Sequence, residues 1–164
     1  MSMIGTFVQA TDDEIGRLLS APKELGDFLA HREESRDGRV VDIDKTWHAL
    51  HWLLTGTEYE GEPPLNFILA GGTEIGDEDV GYGVPRAFTS DEVRGIDEAL
   101  TQVPAADLLA RYDGNAMRDL YPGIWDIPDE RDANFDYLAT NFDVLKGFIA
   151  RAREQGLGLI AYLT

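Results

Sequence analysis

The longest regular pattern in the chain does most to limit its fold. From Arg131 to Gln155, the residues Leu138, Phe142, Leu145 and Ile149 recur three and four apart, along one stripe of a long helix. Gly156 stops that helix, and Leu157 to Leu163 follows as an apolar run of strand length. A helix with one apolar stripe must cover a surface, and a strand without a polar face must be covered on both sides. Met3 to Gln9, near the other end of the chain, reads as a second strand. The two terminal strands are therefore expected as neighbours in one sheet with helices packed on it.

The intervening sequence supplies the helices. Thr11-Asp12-Asp13-Glu14 and Thr89-Ser90-Asp91-Glu92 both have the form of a capping box, in which threonine hydroxyl and glutamate carboxylate each satisfy a free N–H at a helix start. The first helix carries Ile15, Leu18 and Leu19 and ends near Ser20, because Pro22 restricts the residue before it. Pro22 opens a second helix with Leu25, Phe28 and Leu29 inward, and Asp37-Gly38 marks a turn. Val40 to Ile43, Leu65 to Ala70 and Arg86 to Phe88 read as further strands. Pro104 starts a helix that runs to Asp113-Gly114. Helices alternating with short strands predict an α/β fold: a single layered domain over residues 1–164, with a small mixed β-sheet flanked by helices.

Charge excludes several functions. The 164 residues include 31 Asp and Glu against 14 Lys and Arg, a net charge of −17. Such a field repels phosphates and anionic lipid surfaces, so neither nucleic acid nor membrane is expected as a partner. No apolar run nears the roughly 20 residues of a membrane-spanning helix. The N-terminal segment has no basic leader before Asp12-Asp13-Glu14, so a cytoplasmic protein is expected. With no cysteine, disulfides, thiol nucleophiles and thiolate metal sites are excluded.

Two segments carry candidate chemistry. In Asp44-Lys45-Thr46-Trp47-His48-Ala49-Leu50-His51-Trp52-Leu53-Leu54-Thr55-Gly56, Asp44 or Asp42 is the expected N-cap and Gly56 the stop. At about 100° per residue, Asp44, His48, His51 and Thr55 fall within roughly 60° of one another. Trp47, Leu50, Leu53 and Leu54 face the other way, with Trp52 on the boundary. The stripe reads as a ligand or metal surface, or more plainly as imidazoles bonded to backbone carbonyls or to Asp44. No His-Glu-x-x-His pattern is present, and neither a metal site nor a cofactor is expected.

The second segment, Gly71 to Gly83, is rich in glycine and acid. It holds Glu74, Asp77, Glu78 and Asp79 and has no basic residue before Arg86, which disqualifies it as a phosphate cradle. It reads as a tight loop in which glycines allow positive φ, or as one wall of a cleft. Tyr121, Trp125 and Tyr137 form an aromatic group able to stack a ligand or cap a core edge. Trp125 and its neighbouring prolines are the expected exposed sticky patch.

Together, the motif from Asp44 through Trp47, His48 and His51 to Gly56 and the run Gly71-Gly72 to Gly81-Tyr82-Gly83 resemble the YfbM-like family of bacterial proteins, a domain of unknown function. The resemblance implies an α/β layered fold over essentially the whole chain, with the two segments in one constellation. It implies no activity, substrate or cofactor.

The candidate surface thus comprises Asp44, His48, His51, Trp52, Gly71, Gly72, Asp79, Tyr82 and Arg86. No residue is singled out as catalytic. The first expectation is an acidic binding protein that docks a basic protein partner, such as a toxin or nuclease, or a small molecule. The alternative is a small enzyme with its cleft between histidine helix and glycine loop. In it His48 or His51 would be general base, Asp44 or Asp79 would orient it, and Tyr82 or Arg86 would bind substrate.

Overall fold

The computed structural model describes residues 2–164. The first strand, β1 (Gly5–Ala10), passes through the Thr11 capping box into α1 (Asp12–Ser20). Thr11 Oγ1 accepts from the Glu14 N–H at 3.1 Å, and Glu14 Oε1 accepts from the Thr11 N–H at 3.0 Å. A short 3-10 turn begun by Pro22 leads into α2 (Leu25–Ser35) and then β2 (Val40–Asp42). The histidine helix is α3 (Trp47–Thr55), closed by Gly56 at φ 75°. Beyond it come β3 (Thr73–Glu74) and β4 (Arg86–Phe88), then α4 (Ser90–Thr101), opened by the Thr89 box, and α5 (Ala105–Leu109). The long helix is α6 (Arg131–Glu154), and β5 (Gly158–Leu163) ends the chain.

The sheet has the order β2-β1-β5-β4-β3, so the two terminal strands do pair, with Phe7 opposite Ala161 and Val8 opposite Ile160. The layered α/β domain matches the sequence reading; the strands, expected as a mixed set, are antiparallel at all four pairings. Alternation along the strands divides the core into two layers. Phe7, Phe88, Leu159 and Ala161 pack toward α3, α4 and α6, whereas Val8, Ala10, Ala87 and Ile160 pack toward α1 and α2. This two-sided burial explains why β5 has no polar face. The predicted stripe of α6 (Leu138, Phe142, Leu145, Ile149) is wholly buried. Gly5 lets the start of α3 press on β1, since a Cβ there would lie 2.8 Å from Trp47 Cβ.

Several local expectations are corrected. Leu65 to Ala70 is a series of turns, not a strand: the Ala70 N–H donates to the Asn66 carbonyl at 2.8 Å, while Phe67 and Ile68 enter the core. Neither Asp44 nor Asp42 caps α3. Asp44 sits in a 3-10 turn at φ 48°, its N–H donating to Asp42 Oδ1 at 3.1 Å, and Thr46 precedes the helix. The helix after Pro104 stops at Leu109, short of Asp113-Gly114. Trp125 forms no exposed patch: it is 1% exposed, and its indole N–H donates to the Tyr121 carbonyl at 3.0 Å.

Two substitutions measure what burial and capping contribute. Phe142→Ala removes a fully buried ring and is expected to cost about 3–5 kcal/mol in urea denaturation, against about 1 kcal/mol for Thr89→Ala. Equal losses would contradict the core assignment of α6.

Candidate functional site

The helix α3 is enclosed nearly all round: His48 is 3% exposed and His51 0%, and both imidazoles bond to backbone groups, in line with the plainer of the two sequence readings. The side away from the sheet is covered by the loop after Gly56 and by the turn at Tyr121. His48 Nδ1 accepts from the Tyr121 backbone N–H at 2.9 Å, so the neutral ring carries its proton on Nε2. That Nε2 has no hydrogen-bond partner among the described residues. Burial lowers the His48 pKa, opposed by the nearby Glu58 carboxylate and carbonyl. His51 Nε2 lies 2.7 Å from the Glu60 carbonyl oxygen, which can only accept, so this nitrogen too holds the proton. Burial pushes His51 down to about 4, with His48 and Arg86 adding to the effect and the Glu60 carbonyl opposing it. Neither imidazole is hydrogen-bonded to a carboxylate.

Arg86, on β4, gathers the turns that replace the expected strand. Its Nη1 donates to the carbonyls of Phe67, Ala70 and Gly71, and Nη2 donates to Ile68 at 2.7 Å. One planar guanidinium thus satisfies four carbonyls that an extended strand would point in alternate directions. Burial lowers its pKa to about 10, against the pull of Glu74. Gly72, at φ 68°, fits beneath this turn because a Cβ would stand 2.6 Å from the Ala87 carbonyl oxygen.

A cleft of about 570 Å³ opens beside His48. Trp47, His48, Tyr59, Tyr82 and Tyr121 contribute rings to its lining, with Met3, Leu69, Pro122 and Leu163 between them and Asp119 as its charged residue. Trp47 stacks on His48 with ring centres 4.9 Å apart and on Tyr121 at 5.4 Å. Tyr59 lies 4.9 Å from His48 at a tilt of 37°. The Trp47 indole N–H donates to the Met3 carbonyl at 3.0 Å, and the Tyr121 hydroxyl accepts from the Met3 N–H at 2.9 Å. The walls are therefore held from the backbone.

The candidate residues divide accordingly. His48 and Tyr82 share the cleft, joining helix and glycine loop there; Arg86 lies close enough to His51 to help hold its pKa down. Gly71 contributes a carbonyl to Arg86, and Trp52 is half-buried at the core margin. Asp44 stands apart: its Oδ2 accepts from the Tyr137 hydroxyl at 2.8 Å, and burial together with this carboxylate raises Tyr137 to about 12. Asp79 is an exposed loop residue whose Oδ1 accepts from the Gly81 N–H at 2.7 Å. The expected orientation of a histidine by Asp44 or Asp79 is absent, because each carboxylate is engaged elsewhere. Tyr59 and Asp119 were not foreseen; an aromatic flanked by Glu58 and Glu60 was the available signal for the first. Among the described residues no three His, Cys, Asp or Glu side chains are grouped to hold a metal, and no helix is long and apolar enough to cross a membrane.

Buried neutral imidazoles make stability depend on pH. The unfolded chain protonates His51 near 6.5 and the folded chain only near 4, so stability is full above pH 6.5 and falls as pH drops toward 4. The loss approaches about 1.4 kcal/mol per pH unit across that window, and His48 acts in the same direction. His51→Gln, which retains a donor for Glu60, is expected to flatten this fall in denaturant titrations at stepped pH. An unchanged profile would show that His51 is already charged in the fold.

The whole chain has known counterparts in architecture. The crystal structure of YfbM, a protein of unknown function from Escherichia coli, superposes with a TM-score of 0.78 at 22% identity, covering 98% of this chain and 99% of that one. At that identity the likeness is one of fold. No curated protein matches the sequence. The family model described as a domain of unknown function (DUF1877) matches residues 1–162, and the chain belongs to that family.

Proposed function

We propose that the chain is a non-enzymatic binding protein of the bacterial cytoplasm and that its ligand occupies the cleft between the histidine helix and the glycine loop. The observation that carries this reading is the cleft itself: about 570 Å³, walled by rings from four separate segments. That volume suits a small organic ligand or a single side chain of a partner. The binding walls are preformed, since Trp47 and Tyr121 are both tied to the Met3 backbone. The bacterial setting follows the family resemblance and the Escherichia coli neighbour.

The alternative, a histidine-based enzyme, has less support. A general base needs a nitrogen within reach of substrate and usually a partner that orients the ring. Here His48 Nδ1 and His51 Nε2 are both occupied by backbone groups, and their other nitrogens are buried. Docking of a basic partner remains compatible with the cleft, because a net charge of −17 speeds the approach of any cation.

Screening small neutral, cationic and anionic fragments at millimolar concentration by NMR tests the assignment. Binders are expected to shift the resonances of the Trp47 indole, His48 and Tyr82 together. If no fragment shifts them, or if binders collect in the groove between Pro64, Gly72 and Ile96, the cleft is not the ligand site.

A further inference from the structure

We infer that the cleft is built for a weakly hydrated organic cation, such as a methylated ammonium group; this rests on the reading that the cleft is the ligand site. Its lining includes no lysine or arginine, and its one charged residue is the exposed Asp119 carboxylate. Arg118, next in the chain, is turned away toward Asn115 and Asp126. Arg86 is held beneath the turn at residues 67–71 by the carbonyls it binds. The His48 ring is neutral, so it adds no repulsion, and Glu58 lies near enough to act on it through space.

Tyr59 supplies the second strand of the inference. It is 61% exposed, an unusual position for a tyrosine, with one side of its ring against His48 and the rest open. An aromatic face set among carboxylates attracts a cation through its quadrupole, and does so best for cations that shed water easily. An anion finds the opposite conditions: a negative field and no basic residue in the lining. A bare metal ion is also a poor match, because among the described residues no group of three ligating side chains surrounds the space. Cleft size and ring content favour a methylated or otherwise apolar-coated cation, whether free or carried on the side chain of a partner protein.

Isothermal titration with choline and with its neutral isostere, in which a tert-butyl group replaces trimethylammonium, separates charge from shape. Choline is expected to bind at least about tenfold more tightly, the scale of a partly desolvated cation–π contact. Tyr59→Leu and Asp119→Asn alter exposed side chains, so the fold should persist, and each should weaken choline severalfold while leaving the isostere unchanged. A peptide bearing trimethyllysine forms the other arm. Binding of the peptide without choline supports the same head-group chemistry and places it on a protein partner. Equal affinity for the isostere overturns the cation inference, as does failure of both probes while other fragments still fill the cleft. In either case the cleft reading survives; it falls if no fragment of any charge enters, or if binders collect in the groove between Pro64, Gly72 and Ile96.

Discussion

Covering a sheet with helices on both faces leaves its buried polar side chains far from water, and each must then find a partner inside the protein. In this chain those partners are overwhelmingly main-chain groups. Gln9 donates to the Phe148 carbonyl at 3.1 Å, Asn66 to Gly61 at 2.9 Å and Asn134 to Ile124 at 3.0 Å. His48 receives the Tyr121 N–H, His51 meets the Glu60 carbonyl, and Arg86 collects four carbonyls. Gln9 ties β1 to α6, Asn66 closes a loop on itself, and the others join a helix or strand to an irregular segment. The loops around the cleft thereby acquire fixed positions without secondary structure of their own.

The same constraint shapes what the site can do. An imidazole that pins a loop is not available to move protons for a substrate. The rings left facing the cleft offer surface, shape and an electron-rich face. A net charge of −17 gives the surroundings of the cleft a negative field, which attracts cations and repels anions.

Much of the scaffold was legible in the sequence because its signals are local. Both threonine capping boxes form, Gly56 and Gly156 end their helices at positive φ, and the stripe of α6 lies in the core. The pairing of the terminal strands followed from their lack of a polar face. Other features depend on distant partners. Leu65 to Ala70 has strand composition but is held in turns by a guanidinium more than fifteen residues further on. The angular stripe of Asp44, His48 and His51 assumed one continuous helix; instead Asp44 precedes α3 in a positive-φ turn, and two loops cover the imidazoles. Tyr59 lies in the irregular loop just after the helix and Tyr121 far along the chain, so periodicity carried no trace of the cleft.

Both buried histidines are neutral Nε2–H tautomers bound to backbone. Imidazole nitrogen chemical shifts, followed through an acid titration, report this directly. The account predicts a protonated Nε2 and bare Nδ1 in both rings at neutral pH, with His48 titrating below 6.5 and His51 staying neutral to about 4. A ring that titrates at 6.5, or that carries its proton on Nδ1, contradicts it.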